Sequence, residues 1–197
     1  MLEKLALSEK VRASTEPILI PIARLLLRLG VKPNHVTLAC FLGFVVSSVF
    51  IAQGKFLVAG LLLLLFAPLD AVDGMLARVG NMVTTFGAFL DSTLDRYGEI
   101  FIFLAFCLYY LYVGSGAGIV LSFLALTGSL MVSYTRARAE GLGLQCKVGL
   151  FTRFERVFLL IISLLLEAIF LYLTIISVLT HITALQRIIN VYKQTKK

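Results

Sequence analysis

The sequence predicts an all-α integral membrane protein with six transmembrane helices, and three observations support this fold class. Hydrophobic residues make up 59% and charged residues 15% of the 197 residues, whereas a soluble domain is about half apolar and about a quarter charged. The mean hydropathy is +0.97, and the apolar residues form runs comparable with the ~20 residues that cross a bilayer. Lys and Arg cluster in alternate connecting segments, at residues 4–32, 136–156 and 187–197.

The first element, residues 1–31, is predicted to be an amphipathic juxtamembrane segment. Charged residues alternate with apolar ones there, and Arg24 and Arg28 flank the apolar stretch that ends before Gly30. Such a pattern favours a helix lying on the membrane surface. The mixed, charged start differs from a secretory signal peptide, which has a continuous apolar region.

Residues 32–197 are predicted to form one six-helix membrane domain. The first four spans cover about residues 36–52, 56 to beyond 69, 85–113 and 119–134. The fifth span is expected to start near Phe151, and the sixth to end near Val191. Glu167 is the only interruption of the apolar sequence between Ser163 and Thr174, so we place the break between the two spans there.

The charge pattern predicts the orientation of the spans. With six spans, the three basic clusters lie on one side, and the positive-inside rule makes that side cytoplasmic. Both termini are then cytoplasmic in a multi-pass protein of the cell membrane. The net charge is +7, and its position at span ends favours lipid headgroups or phosphorylated substrates over nucleic acid as partners. The dispersed Cys40, Cys107 and Cys146 are predicted to be reduced thiols.

Four aspartates stand near the ends of the second and third spans. Asp70 and Asp73 are three residues apart, and Asp91 and Asp95 are four apart, so each pair shares one helix face. The two spans are antiparallel neighbours, which allows the pairs to meet. Carboxylates at membrane depth are costly and normally face a polar cavity with a partner.

This group of aspartates predicts a site for Mg²⁺ or Mn²⁺, with all four as ligands. Carboxylate oxygens suit these cations, and Mg²⁺ typically also binds substrate phosphates. The stretch contains no His or Cys, which disfavours zinc. Arg96 is a candidate phosphate contact. The alternative is that the aspartates are solvated caps or partners of nearby arginines, and that the interleaved glycines only mark helix packing.

The spacing of these residues resembles a family signature. The pattern D-x-x-D-G-x-x-A-R-x8-G-x3-D-x3-D is met by Asp70, Asp73, Gly74, Ala77, Arg78, Gly87, Asp91 and Asp95. It is similar to the signature of the CDP-alcohol phosphotransferases. The resemblance extends from about residue 30 to the C-terminus. It implies six transmembrane helices, a homodimer, and a polar cavity open to the cytoplasmic side.

The resemblance also implies residue roles in phospholipid biosynthesis. A lipid-phosphate group would move from a CDP-lipid to an alcohol with release of CMP, and Asp95 would be the general base in addition to a metal ligand. The residues implied in binding the CDP group are Asn34, Thr37, Asp70, Asp73, Gly74, Arg78 and Gly87. Asn34 and Thr37 belong to a shorter family segment that begins at Pro33; in the alternative, Asn34 only caps the first span.

The basic residues near the last spans resemble those of phosphatidylinositol phosphate synthases and their archaeal counterparts. The implied acceptor-phosphate residues are Arg136, Arg138, Arg153, Arg156 and Arg187, and several arginines suit a dianionic phosphate. Inositol phosphate is therefore the expected acceptor. Glycerol 3-phosphate is the alternative acceptor, since its synthases also need a phosphate pocket. The position matching Arg136 is often Lys in these enzymes, and the positive-inside bias alone also places arginines here.

An ion-coupled transporter is the main non-enzyme alternative, because intramembrane aspartates also mark ion pathways. A transporter predicts carboxylates near mid-span and an internal repeat. The aspartates instead cluster near one membrane face, and we find no repeat. A purely structural membrane protein has no use for four facing aspartates.

Overall fold

The computed structural model describes residues 7–146, 148–149 and 151–196, and within these residues all regular secondary structure is helical. The eight helices are α1 (Leu7–Arg28), α2 (Pro33–Ala52), α3 (Phe56–Phe66), α4 (Leu69–Val79), α5 (Thr85–Val113), α6 (Gly116–Glu140), α7 (Arg153–Leu165) and α8 (Ile169–Thr195). The predicted all-α architecture is confirmed.

Five helical segments are long and apolar enough to cross a membrane. They are α2, α3 together with α4 (Phe56–Val79), α5, α6 and α8. Helix α7 has 13 residues and is therefore about 20 Å long, whereas the hydrocarbon core of a bilayer is about 30 Å thick. The described helices thus contain five candidate spans by length and composition, and the predicted fifth span of the six, at α7, stays a prediction.

The second span is interrupted between α3 and α4. Helix α3 ends at Phe66 and α4 begins at Leu69, with Pro68 at the position before α4. Proline has no backbone N–H to donate and disfavours an uninterrupted helix. The interruption makes α4 a separate short segment, which carries the first pair of aspartates.

The break between the last two helices lies where the sequence places it. Helix α7 ends at Leu165 and α8 begins at Ile169. Between them, Glu167 has a φ of 54°, a left-handed conformation that ends a helix. Helices α7 and α8 therefore form a hairpin.

The main core lies between α2, α3, α5, α6, α7 and α8. Its centre contains fully buried apolar side chains such as Leu63, Phe106, Leu164 and Ile176. Helices α6 and α8 approach closely at Gly128, where an added Cβ would lie 2.0 Å from Thr180 Oγ1. The tight crossing requires glycine there, as is common between membrane helices.

A second, smaller core joins α1 to α4 and the start of α2. Ala23 of α1, Val36 of α2, and Val72, Met75 and Leu76 of α4 are buried together. Glu16, Arg24 and Arg28 are exposed on α1, so charged residues lie on its outer side. The location of α1 at a membrane surface stays a prediction.

Candidate metal and nucleotide site

Three of the four predicted metal ligands converge. Asp70, in the first turn of α4, and Asp91 and Asp95, one turn apart on α5, each place a carboxylate oxygen within 4.8 Å of the other two. The i, i+4 spacing on α5 directs both side chains to one face. Asp70 of the first pair therefore meets both members of the second pair, whereas Asp73 lies outside this group. These four residues are the only aspartates in the chain.

Asp73, the fourth aspartate, lies one turn further along α4 and is anchored by α2. Its Oδ2 accepts a 2.6 Å hydrogen bond from Thr37 Oγ1, and only 6% of the residue is exposed. Asp73 is not one of the three that converge most tightly, but it lines the same cavity. The hydrogen bond fixes the orientation of its carboxylate.

Arg153 lies inside the aspartate cluster. Its Nη1 is 2.6 Å from Asp70 Oδ1, and its Nη2 is 2.6 Å from Asp95 Oδ1. The preceding Thr152 caps α7, and its backbone N–H donates a 2.9 Å hydrogen bond to Glu155; this capping box orders the first turn. The ordered turn directs Arg153 towards the carboxylates.

The donor set fits a divalent cation. Asp91 Oδ1 is buried and has no hydrogen-bond partner among the described residues, and such an oxygen is costly unless something else satisfies it. The converging ligands are all carboxylates, which suits Mg²⁺ or Mn²⁺ better than a soft metal. The residues present therefore match the cation that the sequence predicts.

An open groove of about 340 Å³ adjoins the cluster. Apart from Asp70, all the residues implied in binding CDP line it: Asn34, Thr37, Asp73, Gly74, Arg78 and Gly87. Thr37, Asp73 and Asp91 line both this groove and the cavity of the cluster. A ligand in the groove can therefore reach the carboxylates.

Gly87 leaves the groove open because it has no side chain. An added Cβ would lie 2.9 Å from Thr84 Oγ1 and 3.3 Å from Asn34 Oδ1. Thr84 is the N-cap of α5, and its hydroxyl accepts a 3.0 Å hydrogen bond from the Gly87 backbone N–H. Any side chain at residue 87 would press on both the cap and the wall formed by Asn34.

The other implied acceptor-phosphate arginines make their described contacts outside the aspartate cavity. Arg136 is exposed and pairs with Glu140 at 2.8 Å, and Arg138 is exposed. Buried Arg187 donates to the backbone oxygens of Val148, at 2.9 Å, and Val132. Among the five arginines, only Arg153 lines the cavity of the aspartates.

Arg156 pairs with Glu99, a residue that the sequence analysis missed. Arg156 Nη2 lies 2.7 Å from Glu99 Oε1, and their side chains are 3% and 7% exposed. Glu99 follows Asp95 by four residues, so it continues the acidic face of α5 by one turn. That continued spacing is the sequence signal by which Glu99 could have been found.

Comparison with known proteins agrees with this geometry. A statistical model of the CDP-alcohol phosphatidyltransferase family matches residues 31–186. Archaetidylinositol phosphate synthase from Pyrococcus horikoshii is 36% identical over 190 residues, which cover 94% of this chain and 96% of the relative.

Two crystal structures of Mycobacterium tuberculosis phosphatidylinositol phosphate synthase share the fold. The structure with CDP-DAG bound has a TM-score of 0.82 at 28% identity and covers 89% of this chain and 94% of that one. The complex with manganese and citrate has a TM-score of 0.82 at 27% identity and covers 88% of each chain. The family match spans most of the sequence and contains all four aspartates, so the chain belongs to the CDP-alcohol phosphatidyltransferase family of transferases.

Proposed function

We propose that the chain transfers a lipid-phosphate group from a CDP-lipid to the hydroxyl of inositol phosphate and releases CMP. The observation that carries the proposal is the convergence of Asp70, Asp91 and Asp95 within 4.8 Å, beside a groove lined by the other residues of the signature. The names of the P. horikoshii and M. tuberculosis relatives support inositol phosphate as the acceptor.

The four aspartates would hold Mg²⁺ or Mn²⁺, and a structural relative is a manganese complex. Such a cation, when bound, neutralises charge on the diphosphate and on the CMP leaving group. In the groove, Arg78 supplies a positive charge for the nucleotide phosphates. Gly74 and Gly87 leave room for the nucleotide to approach the backbone of α4 and α5.

Asp95 is the proposed general base. Its carboxylate removes the proton from the acceptor hydroxyl as the hydroxyl oxygen bonds to the lipid-linked phosphorus. The bond between that phosphorus and the bridging diphosphate oxygen breaks, and CMP leaves with the bridging oxygen. Asp95 lies within the convergent cluster, so one side chain is close to both the cation site and the attacking oxygen.

The acceptor phosphate would bind to the arginines near the last helices. Arg153 is adjacent to the aspartates, and Arg136, Arg138, Arg156 and Arg187 remain proposed contacts from the family resemblance. An acceptor that carries a phosphate suits this basic environment. Glycerol 3-phosphate shares that feature and is the second candidate acceptor.

We also propose the finer membrane arrangement that the sequence predicts. Helix α7 forms the fifth of six crossings and α8 the sixth. Both termini and the groove face the cytoplasm, and α1 lies at the membrane surface beside lipid headgroups. The distribution of basic residues supports this orientation. A homodimer is proposed from the family resemblance.

Release of CMP tests the function directly. Purified protein with CDP-diacylglycerol or CDP-archaeol and Mg²⁺ should release CMP faster with inositol phosphate than with glycerol 3-phosphate or free inositol. Asp95→Asn should lower the rate of CMP release by about 10²–10⁴-fold. Glu140→Gln, which changes an exposed carboxylate, is the control and should release CMP at the wild-type rate. Turnover by Asp95→Asn at the wild-type rate would refute the base assignment. Absence of CMP release with every acceptor would refute the proposed function.

A further inference from the structure

Arg153 and the proposed metal compete for the same carboxylates. The guanidinium contacts Oδ1 of both Asp70 and Asp95 at 2.6 Å. These two aspartates, with Asp91, are also the residues whose oxygens lie within 4.8 Å of one another. One arginine side chain therefore bridges α4 and α5 at the place where a cation would join them.

The electrostatics of the cluster require a positive charge. Three carboxylates so close together repel one another strongly unless a cation compensates them. Arg153 supplies one positive charge at the centre of the cluster, and Arg96 supplies another at its edge, 3.2 Å from Asp95 Oδ2. The Arg153 side chain is 20% exposed, so water screens its interaction only partly. A divalent cation held by the same carboxylates would supply twice the charge of Arg153 and would repel the guanidinium.

The location of α7 allows the guanidinium to leave. Helix α7 packs mainly against α3 and α8, while Arg153 extends from its first turn across the cavity to α4 and α5. The side chain can therefore change rotamer without unpacking the apolar face of α7. Arg153 Nε is buried and has no hydrogen-bond partner within the described residues, so only the terminal nitrogens hold it in place.

We propose that Arg153 is an exchangeable counter-ion of the metal site, which the divalent cation displaces from Asp70 and Asp95. This inference rests on the proposed function, because it assumes that the aspartates bind the cation. Once displaced, the guanidinium no longer pairs with Asp70 or Asp95 and is free to receive a substrate phosphate. Cation binding and phosphate binding are thereby coupled through one side chain.

Mn²⁺ affinity tests the exchange without any substrate. The full chain in detergent is titrated with Mn²⁺, and free Mn²⁺ is measured by its electron paramagnetic resonance signal. Arg153→Met removes the competitor, so we expect Mn²⁺ to bind at least about fivefold more tightly than to the wild type, within the usual range of coupling between sites. Arg136→Met, which removes an arginine paired with a carboxylate outside the cluster, should leave the affinity unchanged.

Unchanged or weaker Mn²⁺ binding by Arg153→Met would overturn the exchange. Should the variant be unstable without metal, Mn²⁺ should restore its thermal stability, because the cation replaces the missing charge; failure of saturating Mn²⁺ to restore it would also overturn the exchange. Wild-type CMP release is measured in the same preparation. If the wild type releases CMP and Arg153→Met binds Mn²⁺ with unchanged affinity, only the exchange is refuted. If the wild type releases no CMP, the proposed function is refuted.

Discussion

Replacing Glu99 with leucine should destabilise the protein strongly, because it leaves Arg156 charged and unpaired in the interior. The Glu99–Arg156 pair is 2.7 Å long, and the two side chains are 7% and 3% exposed. Phe44, Ile102 and Leu160 line the adjoining cavity. A guanidinium there has little access to water once its carboxylate is removed.

The magnitude follows from this burial. Breaking a buried ion pair by removing one partner costs about 3–5 kcal/mol. For a chain of this size, that loss lowers the Tm by roughly 6–20 °C. An exposed pair contributes only about 0–1 kcal/mol, so the matched Glu140→Leu variant should change the Tm by a few degrees at most. Glu140 and Arg136 are 50% and 52% exposed.

Buried cysteines provide the assay. Cys40 and Cys146 are 4% and 0% exposed, so a thiol-reactive fluorophore labels them as the helices separate. A thermal ramp with this dye in detergent reports the Tm of each variant. Equal Tm values for Glu99→Leu and Glu140→Leu would refute the argument from burial.

A double variant distinguishes two causes of instability: loss of the Glu99–Arg156 interaction, and the buried Arg156 charge that is left without a partner. Glu99→Leu/Arg156→Met removes both partners, and replacing a buried pair with apolar residues is often neutral or stabilising. We therefore expect the double variant to recover most of the Tm lost by Glu99→Leu. A double variant as unstable as the single one would show that the unpaired guanidinium is not the cause.

Three further predictions concern the site. Thr37→Val removes the 2.6 Å hydrogen bond to Asp73 and should lower kcat/KM for the CDP-lipid by about 5–150-fold, equivalent to about 1–3 kcal/mol; Thr37→Ser should retain most of the rate. Gly87→Ala should raise KM for the CDP-lipid severalfold, because the added methyl group meets Asn34, whereas Gly116→Ala, where nothing lies within 4 Å, should leave KM unchanged. Chelation with EDTA should abolish CMP release, and excess Mg²⁺ or Mn²⁺ should restore it; full activity in EDTA would exclude a required cation.

The aspartates were predictable because helical periodicity is a local property. Spacings of three and four residues place side chains on one face wherever the helix packs. The high cost of carboxylates at membrane depth then requires that these faces point inward. The same argument extends from Asp95 to Glu99, four residues later, so the acidic face of α5 is longer than the signature alone indicates.

The arginine contacts were not predictable in the same way. Arg153 and Arg156 are three residues apart on α7, yet they pair with different carboxylates. Which carboxylate each reaches depends on the tilt and depth of α7, which result from packing against α3 and α8. Hydropathy likewise does not reveal that α7 has only 13 residues, whereas Pro68 does indicate the interruption of the second span.

The smaller core, which joins α1 to α2 and α4, determines where the chain can be truncated. The region shared with the family begins at residue 31, so a minimal fragment cut at that boundary would lack α1 entirely. Without Ala23 and its neighbours, Val72, Met75 and Leu76 would lose their covering on the helix that carries Asp70 and Asp73. The N-terminal helix is therefore a structural support for the reaction centre, and fragments intended for biochemical work should retain it.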